Sequence, residues 1–303
     1  MHTERHTTLP ESTSGGRRTV VTILALGYCG SHYLSLLLGS HSRTLHLGEL
    51  NFAAKRPDKQ KLVCSLCKDN TTCPVFHDIG PKNIHNAYET IFSRFPSKTT
   101  LIDASKGIWW AKLFMHNPAF QKKYIHLIRD PMALIRRWRH TYTTPKQRIV
   151  TRLKVIRDYP WRTVPLLFDP LDMIYMRNWV MRNRWITEFI RRNRLDARIV
   201  SYRDLARNTA AELAPLMQWM GLEYEPSQLE YWNVVHHGSQ KAQYEWVKQE
   251  KTQHIDLRWQ TELSPELIAR VREDAEINDY LREIGYTFTD DGITRTAVAP
   301  ATR

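Results

Sequence analysis

What this 303-residue sequence has little of narrows it first. No uninterrupted apolar run is long enough to cross a bilayer. The stretch 20–38 is the one to test, and Gly27, Tyr28, Gly30, Ser31 and His32 break it halfway. No secretory signal opens the chain either. Residues 1–18, MHTERHTTLPESTSGGRR, are polar and lack an apolar core, so a disordered leader is expected there. With neither span nor signal, the cytoplasm is the expected location. Cysteines number four: Cys29 stands apart, and Cys64, Cys67 and Cys73 lie together in CSLCKDNTTCPVF. An odd cluster of three is a poor disulfide framework. His77 adds a fourth potential zinc ligand behind a leading Cys-x2-Cys. Beside zinc stand two plainer readings, a reduced surface loop or one local disulfide with a free thiol. Acidic residues are outnumbered 31 to 44 by Lys and Arg, leaving a formal charge of +13. That surplus attracts anions, whether nucleotides, nucleic acids, membrane surfaces or acidic glycans. No internal repeat is present.

What is there is an alternation. Five apolar runs end in polar residues: 20–26, 43–50, 99–107, 123–131 and 197–205. Helical periodicity separates them at 84–94, 108–116, 131–142 and, at greater length, 145–195. Strands alternating with helices predict βαβ units and a mostly parallel sheet flanked by helices. Right-handed crossovers put every strand's carboxyl end on one edge, where ligands of such sheets bind. The loop 27–32, Glu49, Lys106, Arg129 and Tyr202 are therefore expected to line one crevice. Residues 136–203 carry 17 Lys and Arg against five Asp and Glu, either a solvated helix face or a basic rim on that crevice. The Met and aromatic residues of the long helical insertion read as core. Further helices are expected at 208–222, capped by Asn208, and at 264–286, begun by Ser264, Pro265 and Glu266. Between them, 233–260 is aperiodic and reads as a surface loop that can cover the site. The boundaries are a leader at 1–18, a single α/β domain at 19–287 and a loose tail at 288–303.

Two anion devices fall on the same edge. In TILALGYCGSHYLSLLLGSH a glycine turn opens a helix, aiming backbone N–H groups and the helix dipole at a ligand. A nucleotide triphosphatase would carry Gly-Lys-Ser/Thr there, but the residues are Gly30, Ser31, His32 and Tyr33. In HLIRDP a strand delivers Arg129, a planar fork suited to phosphate, just before Asp130 and Pro131 start a helix.

With both in view the chain resembles the sulfotransferases that use 3′-phosphoadenosine 5′-phosphosulfate (PAPS). LGYCGSHYLSLLLGSH is similar to their 5′-phosphosulfate loop, and YIHLIRDPMALIRRW to their 3′-phosphate motif. LGELNF, LIDASKG, VSYRDLARN and MQWMGLEYEP resemble further family stretches in the family's order, and HHGSQKAQ echoes a late one. CSLCKDNTTCPVF is similar to a Cys-rich insert of some bacterial members. The resemblance spans about residues 20–286 and implies a nucleotide-kinase-like phosphate-loop fold, PAPS as donor and no required metal. It also implies transfer of a sulfuryl group to a hydroxyl of a small-molecule, lipid or carbohydrate acceptor, in line and with a carboxylate base. Nucleic acid is not an implied partner; peripheral membrane contact is compatible with it.

By the same resemblance the loop residues Tyr28, Cys29, Gly30, Ser31, His32 and Tyr33 would hold the 5′-phosphosulfate. Arg129 would hold the 3′-phosphate, and Tyr202 would border the adenine. Glu49 is the candidate base, with His32 as its rival and a merely structural acid as the alternative. Two departures matter. Arg137 stands where the family has Ser, and Tyr28 where it has Arg or Lys. Tyr28 carries no charge near neutral pH, so Lys106 is the proposed substitute cation. Two other readings remain: a nucleoside or sugar kinase on the related fold, and a non-catalytic nucleic-acid-binding protein using 136–203.

Overall fold

The structure is a computed structural model and describes residues 17–54, 64–68, 70–238 and 255–296. Five strands form one wholly parallel sheet: β1 (Thr19–Ala25), β2 (Thr44–Gly48), β3 (Thr100–Lys106), β4 (Gln121–Ile128) and β5 (Ala197–Ser201). Their order is β2-β3-β1-β4-β5. Every residue of β1 is buried, as the TVVTILA run requires of a central strand covered on both faces. Helices α1 (Ser31–Gly39), α2 (Ala87–Arg94) and α3 (Ile108–Phe114) make the first crossovers. The chain changes side of β1 between β3 and β4, so the carboxyl ends of β1, β3 and β4 meet where the strand order reverses.

From β4 to β5 the chain runs through α4 (Pro131–Thr141), α5 (Pro145–Asp158), α6 (Thr163–Phe168) and α7 (Leu171–Arg192). The breaks have local causes. Asp130 caps α4 by accepting from Ala133 N at 2.7 Å, and Thr144 and Gln147 form a capping box on α5. As expected, Ile174, Met176, Trp179, Val180 and Ile186 of α7 are core. His126 on β4 is buried against Asn183 of α7, with Nε2–Oδ1 at 3.1 Å, and burial pushes its imidazole down to about 4. Part of the basic surplus is paired: the buried Arg136 with Glu262 and the buried Arg177 with Asp274 and Glu276, and, nearer the surface, Arg139 with Asp172 and Arg182 with Asp158.

Beyond β5 come α8 (Tyr202–Arg207) and α9 (Thr209–Met220), the latter capped by Asn208 as the sequence predicts and ended by the left-handed Gly221. The expected helix at 264–286 is instead two, Pro265–Glu273 and Ala275–Glu283. Asp274 divides them by capping Ile277 N at 3.1 Å while it pairs with Arg177. The expectation of a loose tail from 288 does not hold for 288–296. Strands β6 (Tyr286–Thr289) and β7 (Gly292–Arg295) form an antiparallel hairpin, and Ile293 O accepts from the buried Ser201 hydroxyl at 2.6 Å. The leader residues 1–16 and the tail 297–303 lie outside the described residues.

Candidate active site

The loop leaving β1 turns through two left-handed residues, Tyr28 (φ 71°) and Gly30 (φ 92°). At Gly30 glycine is required twice over. Its φ disfavours a side chain, and a Cβ there would lie 2.2 Å from Tyr202 Cδ2. The Tyr202 ring thus packs directly on the loop. Helix α1 starts at Ser31 with no side-chain cap and no acid in its first turn, so the positive end of its dipole faces the loop without a carboxylate from the turn itself. Two loop residues depart from the expectation. Cys29 points into the core, where burial pushes its thiol up to about 12. Tyr33 is buried edge-on against Tyr231 with its hydroxyl 3.0 Å from Thr209 Oγ1. The turn and the helical period send both side chains inward, so only their main chain faces a ligand.

Three of the chemically active candidates meet. β2 and β3 are neighbours, so their ends place Glu49 beside Lys106. Lys106 Nζ donates to Glu49 Oε1, and His32 Nε2 lies 3.2 Å from the same oxygen. Lys106 is itself left-handed (φ 64°), a conformation costly for a non-glycine residue. Burial alone would raise the Glu49 carboxyl. The hydrogen bond from His32 and the charge and hydrogen bond of Lys106 override it and hold the carboxyl at about 2. The turn is pinned from behind: Asn51 N donates to Ser105 Oγ at 3.0 Å, and Ser105 Oγ donates to the buried Asp103 at 2.5 Å. His46, three residues before Glu49, points the other way, with Nδ1 2.6 Å from Ser35 Oγ, as strand alternation demands.

A second polar cluster forms at the end of β4. Arg129 Nη1 donates to Tyr28 O at 2.9 Å, Nη2 reaches Asp256 at 3.0 Å, and the guanidinium lies 4.6 Å over the Tyr202 ring. Its Nε is buried with no hydrogen-bond partner among the described residues. Trp179 Nε1 donates to Arg129 O at 2.9 Å and fixes the backbone. Asp256 also meets Arg258 at 2.7 Å and Arg136 at 3.8 Å. Burial would raise its carboxyl, but Arg258, Arg129 and Arg136 hold it at about 2. Arg137 stacks 4.6 Å from the Tyr28 ring centre, at the loop rather than beside Arg129.

Between these strand ends and α5 and α7 opens a cavity of about 840 Å³. Gly27, Tyr28, Glu49, Ser105 and Lys106 form its floor. Trp109, Trp138, Tyr142, Tyr175 and Trp185 are its aromatic walls, with Lys112, Lys154 and Arg182 among them. Trp109 faces the cavity, whereas its neighbour Trp110 is buried with its indole N–H on Asp103 at 2.7 Å, and Trp259 is core. The missed residues carried a signal. Tyr175, Asn178, Arg182 and Trp185 recur at helical spacing along one stripe of α7, beside the stripe that reads as core.

No family model matches the chain, and no curated protein is significantly similar to it. Among solved structures, the sulfotransferase domain from the Synechococcus PCC 7002 olefin synthase aligns with a TM-score of 0.57. The alignment covers 93% of this chain and 100% of that one, at 16% identity. This chain has the sulfotransferase fold. The sulfotransferase domain from the curacin biosynthetic pathway is also similar, with a TM-score of 0.49 at 15% identity over 84% of this chain and 98% of that one. No helix among the described residues is long and apolar enough to cross a membrane.

Proposed function

We propose that this protein is a PAPS-dependent sulfotransferase acting on a hydroxyl of a lipophilic or glycosylated small molecule. The observation that carries this reading is the contact of Glu49, Lys106 and His32 beside an uncapped helix N-terminus, with Arg129 across the same loop. In this reading the N–H groups of Gly30, Ser31 and His32 cradle the 5′-phosphosulfate. Its charge draws Lys106 away from Glu49 to the oxygen bridging sulfur and phosphorus. Loss of the ammonium relaxes the Glu49 carboxyl toward the ordinary carboxylate range, making it a better base at the moment it is needed. The acceptor hydroxyl attacks sulfur in line and its proton passes to Glu49. The bridging S–O bond breaks, and 3′-phosphoadenosine 5′-phosphate leaves with its charge met by Lys106. Tyr28 contributes shape and Arg137 stands over it, so Lys106 is the cation nearest the reacting centre in this scheme.

The 3′-phosphate is assigned to Arg129, whose buried Nε has no partner among the described residues and can take one more acceptor. It would take the place of the Asp256 carboxylate. Tyr202, wedged between Gly30 and Arg129, borders the adenine. The aromatic walls suit an acceptor with a flat or acyl body. The outer face of α5 and α6 supports a lipophilic one, since Ile149, Leu153, Val164 and Phe168 are exposed beside the cavity helices. Calorimetric titration with 3′-phosphoadenosine 5′-phosphate tests the reading directly. Binding is expected, and no binding by the wild-type protein ends it. Turnover strictly dependent on magnesium and ATP would move the assignment to a kinase.

A further inference from the structure

A second cluster of chemically capable side chains lies apart from the cleft, at the β2 edge of the sheet. Cys64 and Cys73 are fully buried in an apolar cluster with Val75, Phe76 and Leu47. Cys64 Sγ, Cys67 Sγ, Cys73 Sγ and one nitrogen of His237 all lie within 4.8 Å of one another. His237 Nδ1 is 3.6, 3.5 and 3.6 Å from the three sulfurs in turn. One ring nitrogen makes one good hydrogen bond, so near-equal approach to three sulfurs is a coordination geometry. A tetrahedral zinc ion with Zn–S of about 2.3 Å and Zn–N of about 2.05 Å requires S···N edges of about 3.6 Å.

The backbone is shaped to the same end. Lys68, directly after Cys67, is left-handed (φ 59°), and Cys67 N–H donates to Cys64 Sγ at 3.4 Å. Asn70 Oδ1 accepts from Cys64 N at 2.9 Å and closes the turn. Ser65 N donates to Gly238 O at 2.7 Å, joining the two segments beside His237. The preceding His236 is buried, with Nε2 2.9 Å from Tyr231 O and 3.2 Å from Ser40 Oγ, which fixes the direction of its neighbour. His77, the ligand that sequence spacing suggested, is not in the cluster; its Nδ1 lies 2.9 Å from Cys73 O. No disulfide joins the three cysteines, which excludes the one-disulfide alternative in this structure.

We propose that Cys64, Cys67, Cys73 and His237 bind one zinc ion as a closed structural site. Three thiolates and an imidazole suit zinc and exclude magnesium or calcium. Four protein ligands leave no position for water, so the ion holds two distant segments together and takes no part in transfer. On binding, the three thiols release their protons to solvent and no electron moves.

Elemental analysis of the full chain, purified in reducing buffer without chelator, tests this. About one zinc per chain is expected, released when the thiols are blocked with an organomercurial. His237→Ala and Cys67→Ser should each weaken zinc binding at least about a hundredfold, whereas His77→Ala should keep it. Cobalt(II) exchange into the wild-type protein covers the case in which those variants misfold. Thiolate-to-cobalt charge transfer and intense tetrahedral d–d bands are the expected spectrum. Fewer than about 0.1 zinc per chain after reconstitution with zinc, or no such cobalt spectrum, overturns the proposal. So does a folded His237→Ala that holds zinc as tightly as wild type.

Discussion

Glu49 and Asp256 each hold a cation at the carboxyl edge of the sheet, Lys106 in one case and Arg129 in the other. Both carboxyls are held at about 2 against burial that would raise them. They reach their partners by different routes. Glu49 follows β2 directly, and β2 is bonded to the strand that ends in Lys106, so the sheet itself sets that pair. Asp256 lies outside any strand and meets Arg129 across 127 residues of chain. A pair set by the sheet suits chemistry that must stay in register with the loop. A carboxylate carried by irregular chain onto a phosphate-type Arg suits a place-holder that gives way to the ligand. In the function proposed above, the first cluster carries transfer and the second nucleotide recognition.

The largest expected effect separates those roles. Lys106→Ala should lower turnover about 10²–10³-fold, the usual cost of an oxyanion contact, with 3′-phosphoadenosine 5′-phosphate affinity changed far less. Glu49→Gln should lower turnover by about 10² or more, as loss of a general base does. Full activity in that variant would pass the base role to His32. Next, Arg129→Ala should weaken 3′-phosphoadenosine 5′-phosphate binding by about ten- to a hundredfold, from about 1.5–3 kcal/mol of charge-assisted hydrogen bonding. Adenosine 5′-phosphosulfate, which lacks the 3′-phosphate, should bind both proteins alike. An equal loss with both ligands would remove Arg129 from the 3′-phosphate.

Smaller and opposite in sign is Asp256→Asn. Removing a carboxylate that competes for Arg129 should tighten nucleotide binding by about two- to fivefold at low salt. Weaker binding would instead make Asp256 a residue that positions Arg129. The smallest effect is on stability against acid. Glu49 is lowered from 4.5 and Asp256 from 3.8, each to about 2, so their stabilisation is complete above those unfolded values. It is lost as pH falls through the folded ones. Denaturant midpoints measured from about pH 5 down to about pH 2.5 should therefore fall less steeply in Glu49→Gln and Asp256→Asn than in wild type. An unchanged slope would mean that the native ion pairs do not lower these carboxyls.

Part of the site was legible because parallel sheets leave little freedom. Five apolar runs ending in polar residues dictate one edge, where Glu49 and Lys106 line the cavity with Gly27 and Tyr28, while Gly30, Arg129 and Tyr202 pack together outside its lining. The errors arose where a residue's neighbours are distant. Cys29 and Tyr33 read as loop residues, but the core beneath the first turn of α1 takes their side chains. The aromatic stripe of α7 was hidden beside an adjacent core stripe, because one helix serves both.

Local pattern alone therefore determined the strand–helix alternation, the caps at Asp130, Thr144 and Asn208, and the polar edge, since each depends on spacings of a few residues. The tertiary structure decided which remote residue completes each cluster. Asp256 rather than solvent meets Arg129, and His237 rather than the nearby His77 meets Cys64, Cys67 and Cys73. The physical reason is the same in both cases. Contact across 127 or 173 residues is set by how elements pack, and no spacing along the chain encodes it.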